Sequence, residues 1–193
     1  MCRNLNHYGV NIITALKHSK QLVIGVLIMN YKECINIVSG YIKKNSFSRN
    51  LETGIYFSCL NFNLFFKYAE LNKKDIEMFN ACIDTFIQIL LYKSSDSINT
   101  VDELYSSCDK LLYVIEDDDG ILSDECINVV CQVMHLLLFL KSHDNIEIVD
   151  IIKLYLENND AYYQKCNYST EEYNNKLELL YKNTVRFCNC SES

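Results

Sequence analysis

The chain has 193 residues and a formal net charge of −7 at pH 7, and 49% of its residues are hydrophobic. This length and composition suit one globular domain with its own core and exclude a generally disordered chain. The sequence contains no proline and only five glycines, so it has few residues that break helices, which favours helices joined by short loops.

The first 30 residues do not form a secretory signal peptide. Their apolar run, residues 22–29, lies too far from residue 1, and the residues that flank it lack the small-residue pattern of a cleavage site. Charged and polar residues interrupt every apolar run before it reaches membrane-spanning length. We therefore expect a cytoplasmic protein without membrane contact, and we expect its ten cysteines to be reduced.

Residues 8–95 are predicted to form four helices. Residues 8–44 are predicted to form two helices that meet near residues 18–20. Residues 52–71 carry aromatic and β-branched side chains that would also suit strands, but their length and the short gaps to their neighbours favour a helix. The apolar spacing of residues 75–95 predicts a fourth helix.

The second half contains three capping-box signatures, each at the start of a run with helical periodicity. They are Thr100–Glu103, Asp144–Glu147 and Ser169–Glu172. Ser123 is predicted to cap a further helix, residues 124–143, whose apolar side chains surround it almost completely. Such a helix belongs in the middle of a bundle.

Short intervals between successive helices indicate antiparallel hairpins. We therefore predict an all-α fold of about seven helices, arranged as an irregular bundle or a short HEAT-like helical array. A single helical domain is expected to span residues 1–193, with a basic N-terminal half, residues 1–74, and an acidic C-terminal half, residues 75–193.

The charge of the chain is divided between these halves. Residues 1–74 carry ten Lys/Arg against three acids, a charge of +7, and residues 75–193 carry eight against 22, a charge of −14. Such asymmetry indicates charged partners. Alternatively, the halves pair their opposite charges within one fold.

The basic residues cluster at the edges of apolar helices, and residues 42–50 form a predicted exposed loop with two lysines, an arginine and an aromatic ring. Such a loop can contact phosphates, although short charge runs more often form solvated faces. The candidate nucleic-acid-binding residues are Lys17, Lys20, Lys43, Lys44, Arg49, Lys73 and Lys74.

The sequence indicates no catalytic residues and no cofactor, because the common phosphate-binding, nucleophile-elbow and zinc-protease motifs are absent. Cys131 and His135 have the i, i+4 spacing that would allow a Cys–His dyad. However, no orienting acid or oxyanion donor is visible nearby. We interpret His135 as a core histidine bonded to a backbone carbonyl.

A zinc site is an alternative that spacing disfavours. The candidate ligands lack the usual C-x2-4-C pairing, and those in the apolar helix also suit its packing. No metal is therefore predicted, although zinc binding by these residues stays open. They are Cys126, Cys131, His135, Cys188 and Cys190.

Residues 113–126 contain four consecutive acids followed by glycine, which suggests a calcium loop. Aligning Gly120 with the loop glycine places Ile115 and Cys126 at the first and last ligand positions, so calcium binding is disfavoured. Gly120 instead suits a helix C-terminus. Acids at such an end oppose the helix dipole, and we interpret them as a partner-binding surface for a basic protein: Glu116, Asp117, Asp118 and Asp119.

These features favour a non-enzymatic accessory or inhibitory factor docked on a large ribonucleoprotein, such as a ribosome-associated dormancy-type regulatory factor that inhibits translation. The basic half would contact rRNA and the acidic half basic proteins. The alternative is a helical protein–protein interaction subunit or a viral host-interaction bundle. A hydrolase that uses residues 117–119 with Asp124 is disfavoured, because paired carboxylates alone specify little.

Overall fold

The computed structural model describes residues 29–68, 80, 83–84, 86–87, 98–116 and 124–189. Every secondary-structure element in these ranges is a helix, which confirms the all-α prediction. The described residues form six helices, against the seven or so expected for the whole chain. They are α1 Tyr31–Ile42, α2 Phe47–Tyr68, α3 Ile98–Glu116, α4 Asp124–Ser142, α5 Asn145–Lys165 and α6 Thr170–Asn189.

Helix α1 begins at a capping box. The Asn30 side chain accepts a 2.9 Å hydrogen bond from the Glu33 amide, and Glu33 Oε2 accepts a 3.1 Å bond from the Asn30 amide. The buried residues Cys34, Val38 and Ile42 recur every four positions and form its inner face. Of the second helix predicted within residues 8–44, the structure confirms residues 31–42, but the helix begins at Tyr31 and not near residue 20. The predicted junction near residues 18–20 lies outside the described residues.

Helix α2 confirms the helical prediction for residues 52–71 as far as residue 68 but begins five residues earlier, at Phe47. Ser46 Oγ accepts a 3.3 Å hydrogen bond from the Arg49 amide, as an N-cap residue does. The loop predicted over residues 42–50 therefore shortens to a turn. In the helix predicted at 75–95, the residues that the structure describes are all helical.

The predicted N-cap of α3 is wrong. The helix begins at Ile98, so Thr100 lies inside its first turn. Helix α4 begins at Asp124, directly after the predicted cap Ser123, which itself lies outside the described residues.

Helix α4 has the central position that its composition predicts, since it packs against α2, α3 and α5. Five of its apolar side chains are completely buried: Val130, Val133, Leu136, Leu137 and Phe139. Helix α5 packs against α1, α2, α4 and α6, and α1 packs chiefly against α6. The core therefore centres on α2, α4 and α5.

The two remaining capping predictions have different outcomes. Ser169 and Glu172 form the predicted reciprocal box, with the Glu172 amide 3.2 Å from Ser169 Oγ and the Ser169 amide 2.9 Å from Glu172 Oε2. Asp144 caps α5 by accepting a 3.0 Å hydrogen bond from the Ile146 amide. Glu147, however, does not complete that box, because its carboxylate lies 2.7 Å from His135 Nδ1.

Gly54 allows α2 to approach the two other central helices closely. A Cβ atom at this position would lie 2.8 Å from Cδ1 of Ile148 and 3.0 Å from Cδ1 of Leu136. Both distances are too short for an undisturbed contact, so only glycine fits between these helices without displacing their side chains.

A chain of side-chain amides crosses the same core. Asn128 donates to Asn158 (2.7 Å), Asn158 donates to Asn61 (2.9 Å), and Asn61 donates to Gln132 (2.8 Å). Gln132 in turn donates to the carbonyl of Ser58 at 3.4 Å. Because each buried amide finds a partner on another helix, these bonds set how α2, α4 and α5 are aligned along their lengths.

Candidate functional site

The best-defined candidate surface lies where α1 turns into α2. We call it the α1–α2 corner and define it by Lys43, Lys44, Phe47 and His143. Backbone amides of the turn donate hydrogen bonds to carbonyl groups of α1: Lys43 N to Ser39 O (3.1 Å) and Lys44 N to Tyr41 O (2.8 Å). Because the turn is tight and ends at once in α2, both lysines are left exposed.

A buried asparagine ties this corner to the turn between α4 and α5. Asn50 is completely buried, and its Nδ2 donates to the Ile42 carbonyl (2.8 Å) and to Asn145 Oδ1 (2.7 Å). One side chain thus links the end of α1, the first turn of α2 and the first residue of α5. The corner is therefore bonded to the neighbouring turn and is not a free loop.

Phe47 is the aromatic ring of the corner and is 42% exposed. Its ring stacks on the buried ring of Phe139, with centroids 4.9 Å apart and planes 13° apart, and it contacts the His143 ring at 4.5 Å. Phe139 lies against one face of the ring, the His143 ring is tilted by 53° to it, and 42% of the residue still remains exposed. The ring is therefore packed on the core and partly open to a ligand.

His143 reaches Phe47 because of an unusual backbone conformation. Its φ is +58°, and its amide donates to the Phe139 carbonyl at 2.9 Å. This is the left-handed conformation that commonly ends helices, although glycine usually occupies it. The turn places an exposed imidazole beside the Phe47 ring.

Arg49 was predicted as a phosphate contact, but the structure gives its guanidinium partners within the molecule. Nη2 donates to the Phe187 carbonyl at 3.0 Å, the guanidinium lies 5.1 Å from the centre of the Phe187 ring, and Nη1 is 3.9 Å from Glu52. The Tyr56 ring stacks on Phe187 at 3.8 Å. Arg49 therefore joins α2 to α6, and it is less available to a phosphate than the two lysines are.

The other predicted basic residues, Lys17, Lys20, Lys73 and Lys74, lie outside the described residues. So do the predicted partner-binding acids Asp117, Asp118 and Asp119 and the predicted C-cap Gly120. Glu116 is the last residue of α3, and its side chain is not described.

The described surface of α3 carries further acids. Asp102, Glu103 and Asp109 are exposed, and Asp102 pairs with Lys141 of α4 at 2.6 Å. Other described ion pairs of the acidic half are also internal to it: Lys153 with Asp150, and Lys182 with Glu178.

The predicted hydrogen bond of His135 to a carbonyl is wrong, because Nδ1 lies 2.7 Å from a carboxylate oxygen of Glu147. That acid is the orienting group that the sequence did not reveal, since it lies on the next helix. Burial raises the pKa of the Cys131 thiol, which is the opposite of what an activated nucleophile needs. This argues against a Cys–His dyad.

The candidate zinc ligands are only partly described. Cys188 is buried and Cys131 is half-buried, whereas the side chains of Cys126 and Cys190 lie outside the described residues. In the part of the chain that the structure covers, no three metal-ligating side chains converge.

Comparisons with known proteins supply no relative: no family model, no curated protein and no solved structure matches this chain. Of the helices in the described ranges, none is both long and apolar enough to cross a membrane.

Proposed function

We propose that this protein is a non-enzymatic accessory factor that docks on a large ribonucleoprotein and contacts its RNA through the α1–α2 corner. The observation that supports the proposal is the exposure of Lys43 and Lys44 beside the half-exposed ring of Phe47. Lysines bind phosphates of any sequence, and an aromatic ring beside them is a recurrent feature of surfaces that bind unpaired RNA.

The acidic remainder of the protein supports such docking in one orientation. With a net charge of −7, most of the molecule repels a phosphate backbone, so a local basic corner orients the approach. A ribosome-bound factor of the dormancy type would act this way, with the corner on rRNA and the acidic half against basic proteins or in space that a nucleic acid otherwise fills. Inhibition of translation would follow from occupancy and would need no chemistry.

The test is co-sedimentation of the purified protein with ribosomes across a salt series. Wild-type binding should weaken as salt rises, because binding releases counterions from the RNA and that release is less favourable at high salt. Lys43→Glu/Lys44→Glu should bind more weakly and depend less on salt, because it makes fewer phosphate contacts. Lys32→Glu/Lys110→Glu is the matched control, since it makes the same charge change at exposed lysines elsewhere. Absence of wild-type binding at low salt, or equal loss in both variants, would overturn the proposal.

A second candidate is a helical protein–protein interaction subunit, including a viral bundle that binds a host protein. The exposed acids of α3 favour it, because Glu103 and Asp109 lie on the helix that ends at Glu116 and leads into three further acids. Such a surface suits a basic protein. Retention of one protein partner after nuclease treatment, with its loss in Glu103→Lys/Asp109→Lys, would favour this function over RNA docking.

A further inference from the structure

From the geometry of the α1–α2 corner we infer that Phe47 is a stacking platform for an unpaired base, so that the corner binds single-stranded or looped RNA and not a continuous duplex. This inference rests on the proposed RNA docking and deepens it, because it names the form of RNA that is recognised. The juxtaposition that carries it is an exposed, firmly supported ring next to two exposed lysines.

The ring has the support that a stacking platform needs. Its inner face lies on Phe139, which is completely buried, with planes only 13° apart. Asn50 fixes the first turn of α2, from which Phe47 projects, through its bonds to Ile42 and Asn145. Packing on Phe139 already restricts the side chain, so a base that stacks on the exposed part of the ring meets a smaller entropy cost.

The exposed part of the ring is what a base would contact. Phe47 is 42% exposed, as are other large apolar residues such as Tyr56 at 40%, but Phe47 also lies within four residues of two exposed lysines. Every base has an aromatic face and can stack on such a ring, whatever the sequence. In a continuous duplex the bases are stacked on one another and expose no face to it.

The lysines lie close enough to Phe47 along the chain to contact the adjoining RNA backbone. Lys44 precedes Phe47 by three residues, and three residues span at most roughly 11 Å of chain. One short stretch of strand can therefore place a base on Phe47 and phosphates near Lys43 and Lys44. The His143 ring, 4.5 Å from Phe47, adds hydrogen-bonding nitrogen atoms next to the Phe47 ring.

Fluorescence anisotropy with labelled RNA tests this inference on the full-length protein. The probes are a single-stranded oligonucleotide of mixed sequence, a hairpin with a large loop, and a blunt duplex of the same length, each over a salt series. Wild type should bind the first two more tightly than the duplex. Phe47→Leu, which keeps an apolar contact with Phe139, should weaken binding to the single strand at least about five-fold, whereas Phe47→Trp should retain it.

The outcomes separate the inference from the function on which it rests. If Phe47→Leu binds like wild type while Lys43→Glu/Lys44→Glu loses affinity for all probes, the stacking role is wrong and RNA docking stands. If wild type binds no probe at low salt, or if Lys43→Glu/Lys44→Glu binds as well as the control Lys32→Glu/Lys110→Glu, the stacking role and the RNA docking are both wrong. Circular dichroism and urea unfolding of Phe47→Leu establish that a loss of binding is not a loss of fold; equal loss in a folded Phe47→Trp also contradicts stacking.

Discussion

The carboxylate of Glu147 lies 2.7 Å from Nδ1 of His135, so a residue in a capping-box position of α5 is bonded to α4 instead. The two side chains are 29% and 16% exposed, which places the pair between surface and core. Asp144 therefore caps the N-terminus of α5 without the help of Glu147. The contact therefore exchanges a local helix cap for a bond that closes the α4–α5 hairpin.

The His135–Glu147 pair should contribute measurable coupling between the two helices. In a double-mutant cycle with His135→Ala and Glu147→Ala, we expect each single change to cost about 1 to 2 kcal/mol and the coupling energy to exceed about 0.5 kcal/mol. Urea unfolding of the four proteins measures it. Asp144→Ala in place of Glu147→Ala is the control, because it removes the cap alone; strictly additive effects at His135 and Glu147 would contradict the pairing.

The two described glycines should respond oppositely to alanine. Gly54→Ala forces a Cβ against Ile148 and Leu136 and should destabilise the fold by about 1 to 3 kcal/mol. Gly40→Ala meets nothing within 4 Å and should stabilise α1 by up to about 1 kcal/mol through helix propensity. Thermal or urea unfolding compares them. Stabilisation by Gly54→Ala would disprove the close approach of α2 to α4 and α5.

Asn61 lies in the middle of the buried amide chain, so its loss leaves two partners unsatisfied. Asn61→Ala strands the Asn158 donor and the Gln132 acceptor, and we expect a cost of about 2 to 5 kcal/mol. Asn63→Ala, at an exposed position of the same helix, should change stability by less than about 0.5 kcal/mol. Equal effects at the two positions in urea unfolding would show that the amide chain does not form.

Stability should decline in alkali partly because of Tyr155. Burial, with contributions from the nearby Tyr163 and Tyr56, raises its pKa in the folded protein from 10.0 to about 12. The unfolded chain therefore releases this proton first, and the free energy of unfolding falls as pH rises from 10 to 12. Tyr155→Phe removes that proton, so its stability profile should fall less steeply in this interval. Urea unfolding under reducing conditions from pH 9 to 12 measures both; parallel profiles would contradict the assignment.

Local patterns predicted much of the backbone correctly. The helical periodicity of residues 52–71 and the capping box at Ser169 both mark helices that the structure contains, because caps and periodicity act within a few residues. The same kind of signal, Asn30 with Glu33, marks the start of α1, which the apolar pattern of residues 8–44 alone does not reveal. At Thr100 the same pattern predicts a helix start, but α3 begins two residues earlier, at Ile98.

The candidate site was predictable only in part. Lys43 and Lys44 are exposed, as a basic segment beside a helix end suggests. Arg49 belongs to the same run of sequence, but Phe187 lies 138 residues further along the chain and binds its guanidinium. The ring contacts of Phe47 likewise come from Phe139 and His143, which no local pattern connects to residues 42–50.

By itself, the sequence determined the all-helical class, the burial of α4 and the positions of several helix ends, because these depend on hydrophobic periodicity and short-range hydrogen bonds. Only the tertiary structure decided that Lys43 and Lys44 are exposed while Arg49 bonds within the molecule. It also decided that Glu147 bonds to His135 and that Phe47 stays half exposed. Those outcomes depend on contacts between segments distant in the chain, and folding brings such segments together through packing of the whole core.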